Sequence, residues 1–287
     1  MIIIDFNQIC ISNLYAQIGN HTNVEIEPDL LRHMVLNMIR GLRSKFKDEY
    51  GEIIIACDDR NYWRKEIYPY YKANRKKARE ASDMDWNKVF DVFNSIRGEL
   101  KQFFPYRVIQ VEHAEADDII ATLAYEYGRQ LVTPSDEKIM ILSGDKDFIQ
   151  LQKFANVEQF DPVRKRKIAF NDPEQYLFEH ILKGDAGDGV PNVLSNDDVF
   201  VVGSRQKHLT KKTVDKLSTT PEDEWDAVVA RNFARNKAMV DLSCIPNNIK
   251  QQILDKYDEE SGKDRSQLFK YFIKYKLKNL TEHIGDF

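Results

Sequence analysis

Cysteine is scarce in this sequence, and no segment is long and apolar enough to cross a membrane. The 287 residues include three cysteines, Cys10, Cys57 and Cys244, without a CxxC pair. This pattern excludes a disulfide framework and a cysteine-rich zinc site, and it favours reduced cysteines in a cytosolic protein. Residues 1–5 have no positively charged segment and too short an apolar run for a signal peptide. We therefore expect a cytoplasmic protein without membrane contact.

Net charge is also small, but it is unevenly distributed. The overall charge of −4 argues against a uniformly basic nucleic-acid-binding protein. Residues 60–79, however, contain eight lysines and arginines and one glutamate, so this window carries +7 and the rest of the chain −11. Four tyrosines and a tryptophan in the same window suit a phosphate backbone with stacked bases. A solvated helix face is the alternative interpretation. A second basic stretch lies at 205–216.

Apolar runs and helical periodicities predict an α/β fold. Hydrophobic residues make up 42% of the chain, which excludes a disordered protein, and the length allows one or two domains. Buried strands are predicted at 1–6, 52–57, 106–111 and 138–142, a hairpin at 157–170, and helices at 28–42, 86–104, 115–127, 173–182, 248–257 and 267–275. Near-continuous apolar strands alternating with helices predict a mixed, mostly parallel sheet between helices.

Acidic residues follow three of these strands, where ligands bind in parallel sheets. More acids open the helix at 115 and lie in the glycine-rich loop at 184–189. The nine candidate metal ligands are Asp5, Asp58, Glu115, Asp117, Asp118, Asp145, Asp147, Asp185 and Asp188. Crowded carboxylates raise each other's pKa unless a divalent cation neutralises them. Oxygen ligands alone favour magnesium, manganese or calcium over zinc.

Simpler roles for these acids stay open at this point. Acids are common at helix N-termini, which suits Glu115, Asp117 and Asp118, and aspartate is common in turns. Among metal-dependent classes, a haloacid-dehalogenase-type phosphatase needs Asp-x-Asp after the first strand, but the chain has Asp5-Phe-Asn7. The segment at Asp145 lacks the ligand spacing of an EF-hand. No Ser-His or Cys-His nucleophile pair is evident, so two-metal phosphodiester hydrolysis fits best.

The order of the motifs resembles the structure-specific 5′ nucleases, a family that includes flap endonucleases and the 5′ nuclease domains of bacterial polymerases. The matching motifs are Asp5, Asp58, Tyr71-Lys72-x-Asn74-Arg75, Glu115-Ala-Asp117-Asp118, Ser143-Gly-Asp145-Lys-Asp147 and Gly184-Asp185-x-x-Asp188. The tracts at 62–75 and 181–185 are similar to the ribonuclease H branch of T-even phages. Six motifs in order cover nearly the whole chain.

The resemblance implies a PIN-like 5′ nuclease fold. Residues 1–183 would form the α/β nuclease domain, with a basic helical arch at about 60–85, and residues 184–287 a smaller helical DNA-binding domain. Two Mg²⁺ ions per active site are implied, with Mn²⁺ as a substitute. Glu115, Asp117, Asp145 and the acids at Asp5 and Asp58 would surround the first ion. Asp147, Asp185 and Asp188 would hold the second, partly through water.

The resemblance also implies roles for basic residues. Asp117, Lys72 and Arg75 would be catalytic, with Lys72 and Arg75 contacting the scissile phosphate or the threaded 5′ strand. The expected nucleic-acid-binding residues are Arg64, Lys65, Tyr71, Lys72, Arg75, Lys76, Lys77, Arg79, Lys207, Lys211 and Lys212. One departure concerns residues 190–198, which lack the glycines of the family's duplex-gripping helix-hairpin-helix. This removes the basis for a monovalent ion there, and the basic stretch at 205–216 is the alternative duplex contact.

The implied activity is that of a metal-dependent 5′ to 3′ exonuclease and flap endonuclease. It would hydrolyse phosphodiester bonds of RNA primers in RNA–DNA hybrids and of 5′ DNA flaps during DNA replication. Branched or nicked DNA would be the partner, with a replication single-strand-binding protein as a further one. The protein would act as a monomer, in the cytoplasm of a bacterial host if phage-encoded. The alternative is a non-catalytic branched-DNA-binding protein, which should have lost some of the nine acids.

Overall fold

A six-stranded sheet forms the centre of the protein. The structure is a computed structural model and describes residues 1–19, 26–130, 133 and 136–287. The strands are β1 (Ile2–Asp5), β2 (Ile53–Ala56), β3 (Arg107–Ile109), β4 (Ile139–Leu142), β5 (Val157–Asp161) and β6 (Arg166–Ile168). Their order is β3-β2-β1-β4-β5-β6. Pairs from β3 to β5 are parallel, and β6 is antiparallel to β5. The predicted mixed, mostly parallel sheet and its hairpin are confirmed.

Helices surround this sheet. They are α1 (Phe6–Ile18), α2 (Pro28–Tyr50), α3 (Arg64–Ile67), α4 (Ala73–Glu80), α5 (Trp86–Phe103), α6 (Ala116–Tyr127), α7 (Pro173–Lys183), α8 (Lys211–Thr219), α9 (Ala227–Val240), α10 (Asn247–Glu259), α11 (Leu268–Lys274) and α12 (Lys278–Thr281). Helix α1 was not predicted, because it follows β1 without a loop. Asp5 ends the strand and also caps the helix, accepting a hydrogen bond from the Gln8 N–H at 3.0 Å.

Both faces of the sheet are covered, which explains why its strands are apolar throughout. Alternate residues of a strand point to opposite faces. Ile2 and Ile4 therefore pack with α2 and α5, whereas Ile3 packs with α6 in a second hydrophobic cluster. The C-terminal helices contribute to both clusters, with α11 joining the first and α10 the second. Packing is thus continuous across residue 183, and the two-domain division stays a prediction.

A third hydrophobic cluster joins the arch segment to the C-terminal helices. Tyr68 and Tyr71 pack there against residues of α7 and α9, including Leu182 and Phe233. Between α7 and α8 the described residues form turns instead of a helix-hairpin-helix, in agreement with the glycine-poor sequence. Within the described part of the chain, no helix has the length and apolar character that a membrane span requires.

A buried polar network attaches the C-terminal helices to the α/β core. The Glu99 carboxylate on α5 accepts hydrogen bonds from Arg32 Nε at 2.8 Å and from the Tyr271 hydroxyl at 2.7 Å. Glu99 and Arg32 are only 5% and 7% exposed. A carboxylate buried to this extent needs such donors, because desolvation disfavours its charged form. Tyr271 of α11 therefore stabilises the negative charge of Glu99, which lies on α5 and pairs with Arg32 of α2.

Replacing Tyr271 by phenylalanine should lower the free energy of unfolding by about 1.5–3 kcal/mol, the usual contribution of a hydrogen bond to a charged group. Urea denaturation of the full chain measures this difference. Tyr15→Phe is the control, because that side chain is 52% exposed. Equal stability of the two variants would show that Tyr271 contributes only apolar packing.

Candidate active site

Acids from neighbouring strands converge at the C-terminal edge of the sheet. Asp5 ends β1, and its carboxylate accepts a hydrogen bond from the Ser143 hydroxyl, beyond β4, at 3.2 Å. Burial and the nearby Asp58 raise the pKa of Asp5 to about 6. Burial also raises the pKa of Asp58. Lys72 lowers this pKa and Glu115 raises it, so that the overall shift is upward. Asp5, Asp58 and Glu115, which are distant in sequence, therefore lie close enough together to interact electrostatically.

Asp117 and Asp145 extend this cluster. Burial and the neighbouring Asp145 raise the pKa of Asp117 well above its ordinary value. Desolvation and Asp147 raise the pKa of Asp145 to about 7, even though its side chain lies at the exposed mouth of the site. The ionised forms of these carboxylates therefore disfavour one another. Such a set of oxygen donors fits a divalent cation, which would relieve the repulsion.

Glu115 differs from the other acids because three donors surround it. Its carboxylate contacts Arg64 Nη1 at 2.8 Å, the Tyr71 hydroxyl at 2.9 Å and the Lys72 ammonium. Burial would raise the pKa of Glu115, but Lys72 and Arg64 outweigh it and lower the pKa below its usual value. Glu115 therefore stays ionised at the base of the site.

Lys72 and Arg75 connect the arch segment with the glycine-rich loop. The Lys72 backbone N–H donates to the Asp188 carbonyl at 2.7 Å, and its ammonium lies 3.5 Å from the Asp188 carboxylate. Arg75 also pairs with the Asp188 carboxylate, and its Nε donates to the Gly187 carbonyl at 3.3 Å. The side chain of Lys72 is 10% exposed and that of Arg75 46% exposed. Both catalytic candidates therefore lie among the acids.

The loop at 184–189 needs a glycine where it leaves α7. Gly184 has φ of +66°, and a Cβ there would lie 2.4 Å from the Val190 carbonyl oxygen. The tight turn brings Asp185 back towards α7. Burial and Asp188 raise the pKa of Asp185. Its Oδ1 accepts the Asp188 N–H at 3.1 Å, so the loop fixes the positions of both acids.

His180 belongs to this part of the site, although no sequence motif marked it. Its Nε2 lies 2.8 Å from Asp147 Oδ1 and 4.0 Å from Asp185 Oδ2. Burial would lower the pKa of His180, but Asp147 and Asp185 raise it overall. The available signal was its place in the last turn of the helix that ends just before Asp185. A single histidine on a helix does not predict a functional site unless the turn at Gly184, which brings Asp185 near it, is known.

Asp118 was expected to bind metal, and the structure corrects this expectation. Asp118 is fully buried, and its Oδ2 accepts from the Glu115 backbone N–H at 2.8 Å and from Trp63 Nε1 at 3.1 Å. Its Oδ1 lies 2.8 Å from Arg64 Nη1. One oxygen of Asp118 thus accepts two hydrogen bonds within the protein, and the other forms an ion pair. The helix-start interpretation is the right one for this acid.

Arg64 and Tyr71 were expected to contact nucleic acid, and both expectations are wrong for this structure. Arg64 is 2% exposed, pairs with Glu115 and Asp118, and donates from Nε to the Met239 carbonyl at 3.0 Å. Tyr71 is 3% exposed and uses its hydroxyl on Glu115 and Asp188. Neither side chain is accessible to a phosphate or a base. The remaining cations named for binding, apart from Lys72 and Arg75, are exposed: Lys65, Lys76, Lys77, Arg79, Lys207, Lys211 and Lys212.

Replacing Arg64 by methionine should lower the free energy of unfolding by about 3–5 kcal/mol, because two buried carboxylates lose their common partner. Urea denaturation measures the loss. The neighbouring Lys65 is exposed, so Lys65→Met should change stability by no more than about 0.5 kcal/mol. An Arg64→Met protein as stable as wild type but weaker in DNA binding would restore the original assignment.

Comparison with known proteins places this geometry in a family. Residues 1–179 match the 5′-3′ exonuclease, N-terminal resolvase-like domain, and residues 171–287 match the T4 RNase H, C terminal family. The chain belongs to the 5′-3′ exonuclease family. It is 32% identical to "Ribonuclease H" of Enterobacteria phage T4, an alignment that covers 99% of this nuclease and 95% of the relative. The expected resemblance is therefore confirmed.

A further sequence relative agrees with the family, and two solved structures agree with the fold. "Flap endonuclease Xni" of Shewanella piezotolerans is 35% identical over 46% of this nuclease and 49% of the relative. The T5 D15 protein co-crystallised with metal ions superposes with a TM-score of 0.61 at 16% identity, covering 91% of this nuclease and 99% of that protein. A second T5 5′-exonuclease structure, with bound zinc, has a TM-score of 0.60 at 16% identity and covers 91% and 99% of the two chains. The predicted 5′ nuclease fold is confirmed.

Proposed function

We propose that this protein is a metal-dependent 5′ to 3′ exonuclease and flap endonuclease. The observation that carries the proposal is the position of Lys72 among the acids. The lysine belongs to the basic arch segment, yet its ammonium contacts Glu115 and lies near Asp188. A phosphate drawn to Lys72 would thus be held beside the carboxylates that are suited to divalent cations.

The acids divide into two sets of proposed ligands. Asp5, Asp58, Glu115, Asp117 and Asp145 would hold a first ion, and Asp147, Asp185 and Asp188 a second. We propose Mg²⁺ for both positions, with Mn²⁺ as a substitute. When bound, the ions supply charge stabilisation and activation of water for phosphodiester hydrolysis. The residues of the chain supply the positions: Asp5 is fixed by Gln8 and Ser143, and Asp185 and Asp188 are fixed by their loop.

The substrates follow from the arch and the relatives. Exposed lysines and arginines of the arch segment, together with Lys207, Lys211 and Lys212, suit a duplex with a single-stranded branch. The names of the relatives support 5′ DNA flaps and RNA–DNA hybrids. We further propose that the protein acts as a monomer during DNA replication in the cytoplasm of a bacterial host. A replication single-strand-binding protein is its proposed partner.

Labelled flap DNA and a labelled RNA–DNA hybrid test the function directly. Wild-type protein should cleave both in Mg²⁺ or Mn²⁺ and neither in EDTA. Asp117→Asn should cleave at least about a hundredfold more slowly, because a carboxylate that would hold a metal is lost. Its binding to the flap in EDTA should be unchanged or tighter, because one negative charge is removed near the phosphates.

Stability measurements separate this effect from damage to the fold. The raised pKa of Asp117 means that its ionised form is disfavoured in the folded protein. At any pH above the ordinary aspartate pKa the acid therefore destabilises the fold, because ionisation is easier in the unfolded chain. Asp117→Asn should consequently be at least as stable as wild type in EDTA at neutral pH. Cleavage by Asp117→Asn at near the wild-type rate would refute the metal assignment. Flap binding without cleavage by wild-type protein in either metal would favour the non-catalytic alternative.

The basic arch segment should act on phosphates without regard to sequence. Lys76 and Lys77 are exposed on α4, and Lys76 Nζ lies 3.8 Å from the exposed Glu80 carboxylate. Replacing both lysines by alanine should weaken binding equally on unrelated flap sequences. The slope of log K against log salt should fall by about one per lost contact. Loss of binding to one sequence alone, or an unchanged salt slope, would contradict phosphate contact.

A further inference from the structure

We propose that His180 is a nitrogen ligand of a divalent metal ion, completing a site with Asp147 and Asp185. This inference deepens the proposed function, because it changes the chemistry of the second metal position from oxygen donors alone to a mixed set. The three residues each offer one ligand atom, and these atoms all lie within 4.8 Å of one another. Of the described residues, only this group of histidine, cysteine or acidic side chains meets that condition.

The distances fit the coordination sphere of one ion. Metal–ligand bonds of about 2.1 Å place adjacent ligand atoms about 3 Å apart and opposite ones about 4.2 Å apart. Nε2 of His180 lies 2.8 Å from Asp147 Oδ1 and 4.0 Å from Asp185 Oδ2. Both separations fall near this range. The ring nitrogen therefore faces both carboxylates at separations that a single bound ion would span.

The surrounding structure holds all three side chains in place. Helix α7 packs on the 3-10 helix Lys146–Lys153, which begins immediately after Asp145. The His180 ring also packs against Tyr176, with ring centroids 5.8 Å apart. The turn at Gly184 brings Asp185 back to the same end of α7. Rigid elements thus fix the site from both sides, as a metal site requires.

An imidazole ligand changes which metals the site prefers. Magnesium binds oxygen almost exclusively, whereas manganese, cobalt and zinc accept imidazole nitrogen readily. A site with His180 should therefore favour Mn²⁺ over Mg²⁺ more strongly than a site built from carboxylates alone. The alternative is a positioning role, in which His180 donates a hydrogen bond to Asp147 and never contacts the ion.

Pulsed electron paramagnetic resonance of Mn²⁺ bound to the full-length protein tests the proposal. Wild-type protein should show hyperfine coupling to an imidazole nitrogen, and labelling histidine with ¹⁵N should alter that coupling. The signal should disappear in His180→Asn and persist in His283→Asn. His283 is the matched control because its Nδ1 also lies near an aspartate, 3.7 Å from Asp286, but in the C-terminal segment. No imidazole coupling in the wild type would overturn the proposal without any variant.

Metal titrations by calorimetry give a second readout. His180→Asn should lower the Mn²⁺ affinity of one site by about tenfold or more, with a smaller change for Mg²⁺. His180→Asp restores an oxygen ligand and should bring the ratio of Mn²⁺ to Mg²⁺ affinity down. Equal losses for both metals would indicate a positioning role and overturn the proposal. Because binding is measured without substrate, this result is independent of whether the wild-type protein cleaves a flap.

Discussion

The crowding of carboxylates at one edge of the sheet is the constraint on which this structure depends. Parallel strands bring their C-terminal ends together, so Asp5, Asp58 and Asp145 are neighbours wherever the sheet forms. Burial and neighbouring carboxylates raise the pKa of all three. The fold offsets part of this unfavourable charge with cations of its own. Arg64, Lys72 and Arg75 all come from the segment between β2 and α5.

These three cations have different tasks, which their burial reveals. Arg64 is enclosed and pairs with carboxylates that face away from solvent, so it stabilises the base of the arch segment. Lys72 contacts Glu115 at the wall of the site, and Arg75 pairs with Asp188 while half of its side chain is exposed. We propose that Lys72 and Arg75 exchange a carboxylate for a phosphate when substrate binds, whereas Arg64 cannot leave without leaving two buried charges unpaired.

Sequence patterns predicted the sheet and the acidic edge well, because both follow from periodicity. Apolar runs marked β1, β2 and β4. The positions of Asp5, Asp58 and Asp145 in the site could be predicted because each residue lies at or soon after the end of its strand. Helix α1 was not predicted, since Asp5 serves both strand and helix without a turn between them. His180 was not predicted because its approach to Asp185 depends on the left-handed backbone of Gly184. The burial of Arg64 and Tyr71 was also not predicted, because composition describes charge and aromaticity but not the packing of an arch against α9.

The motif Glu115-Ala-Asp117-Asp118 shows why a set of acids cannot be assigned as a unit. Successive residues of a helix point about 100° apart. Asp118 therefore faces Arg64 and Trp63 in the interior, while Asp117 faces Asp145 across the site. Glu115, just before the helix, lies between them and is held by Lys72 and Arg64. Asp118 caps the helix, Asp117 is a proposed metal ligand, and Glu115 pairs with Arg64 and Lys72 between them. The proposed chemistry consequently depends on the geometry of Asp117 and Glu115, and the stability of that geometry depends on Asp118.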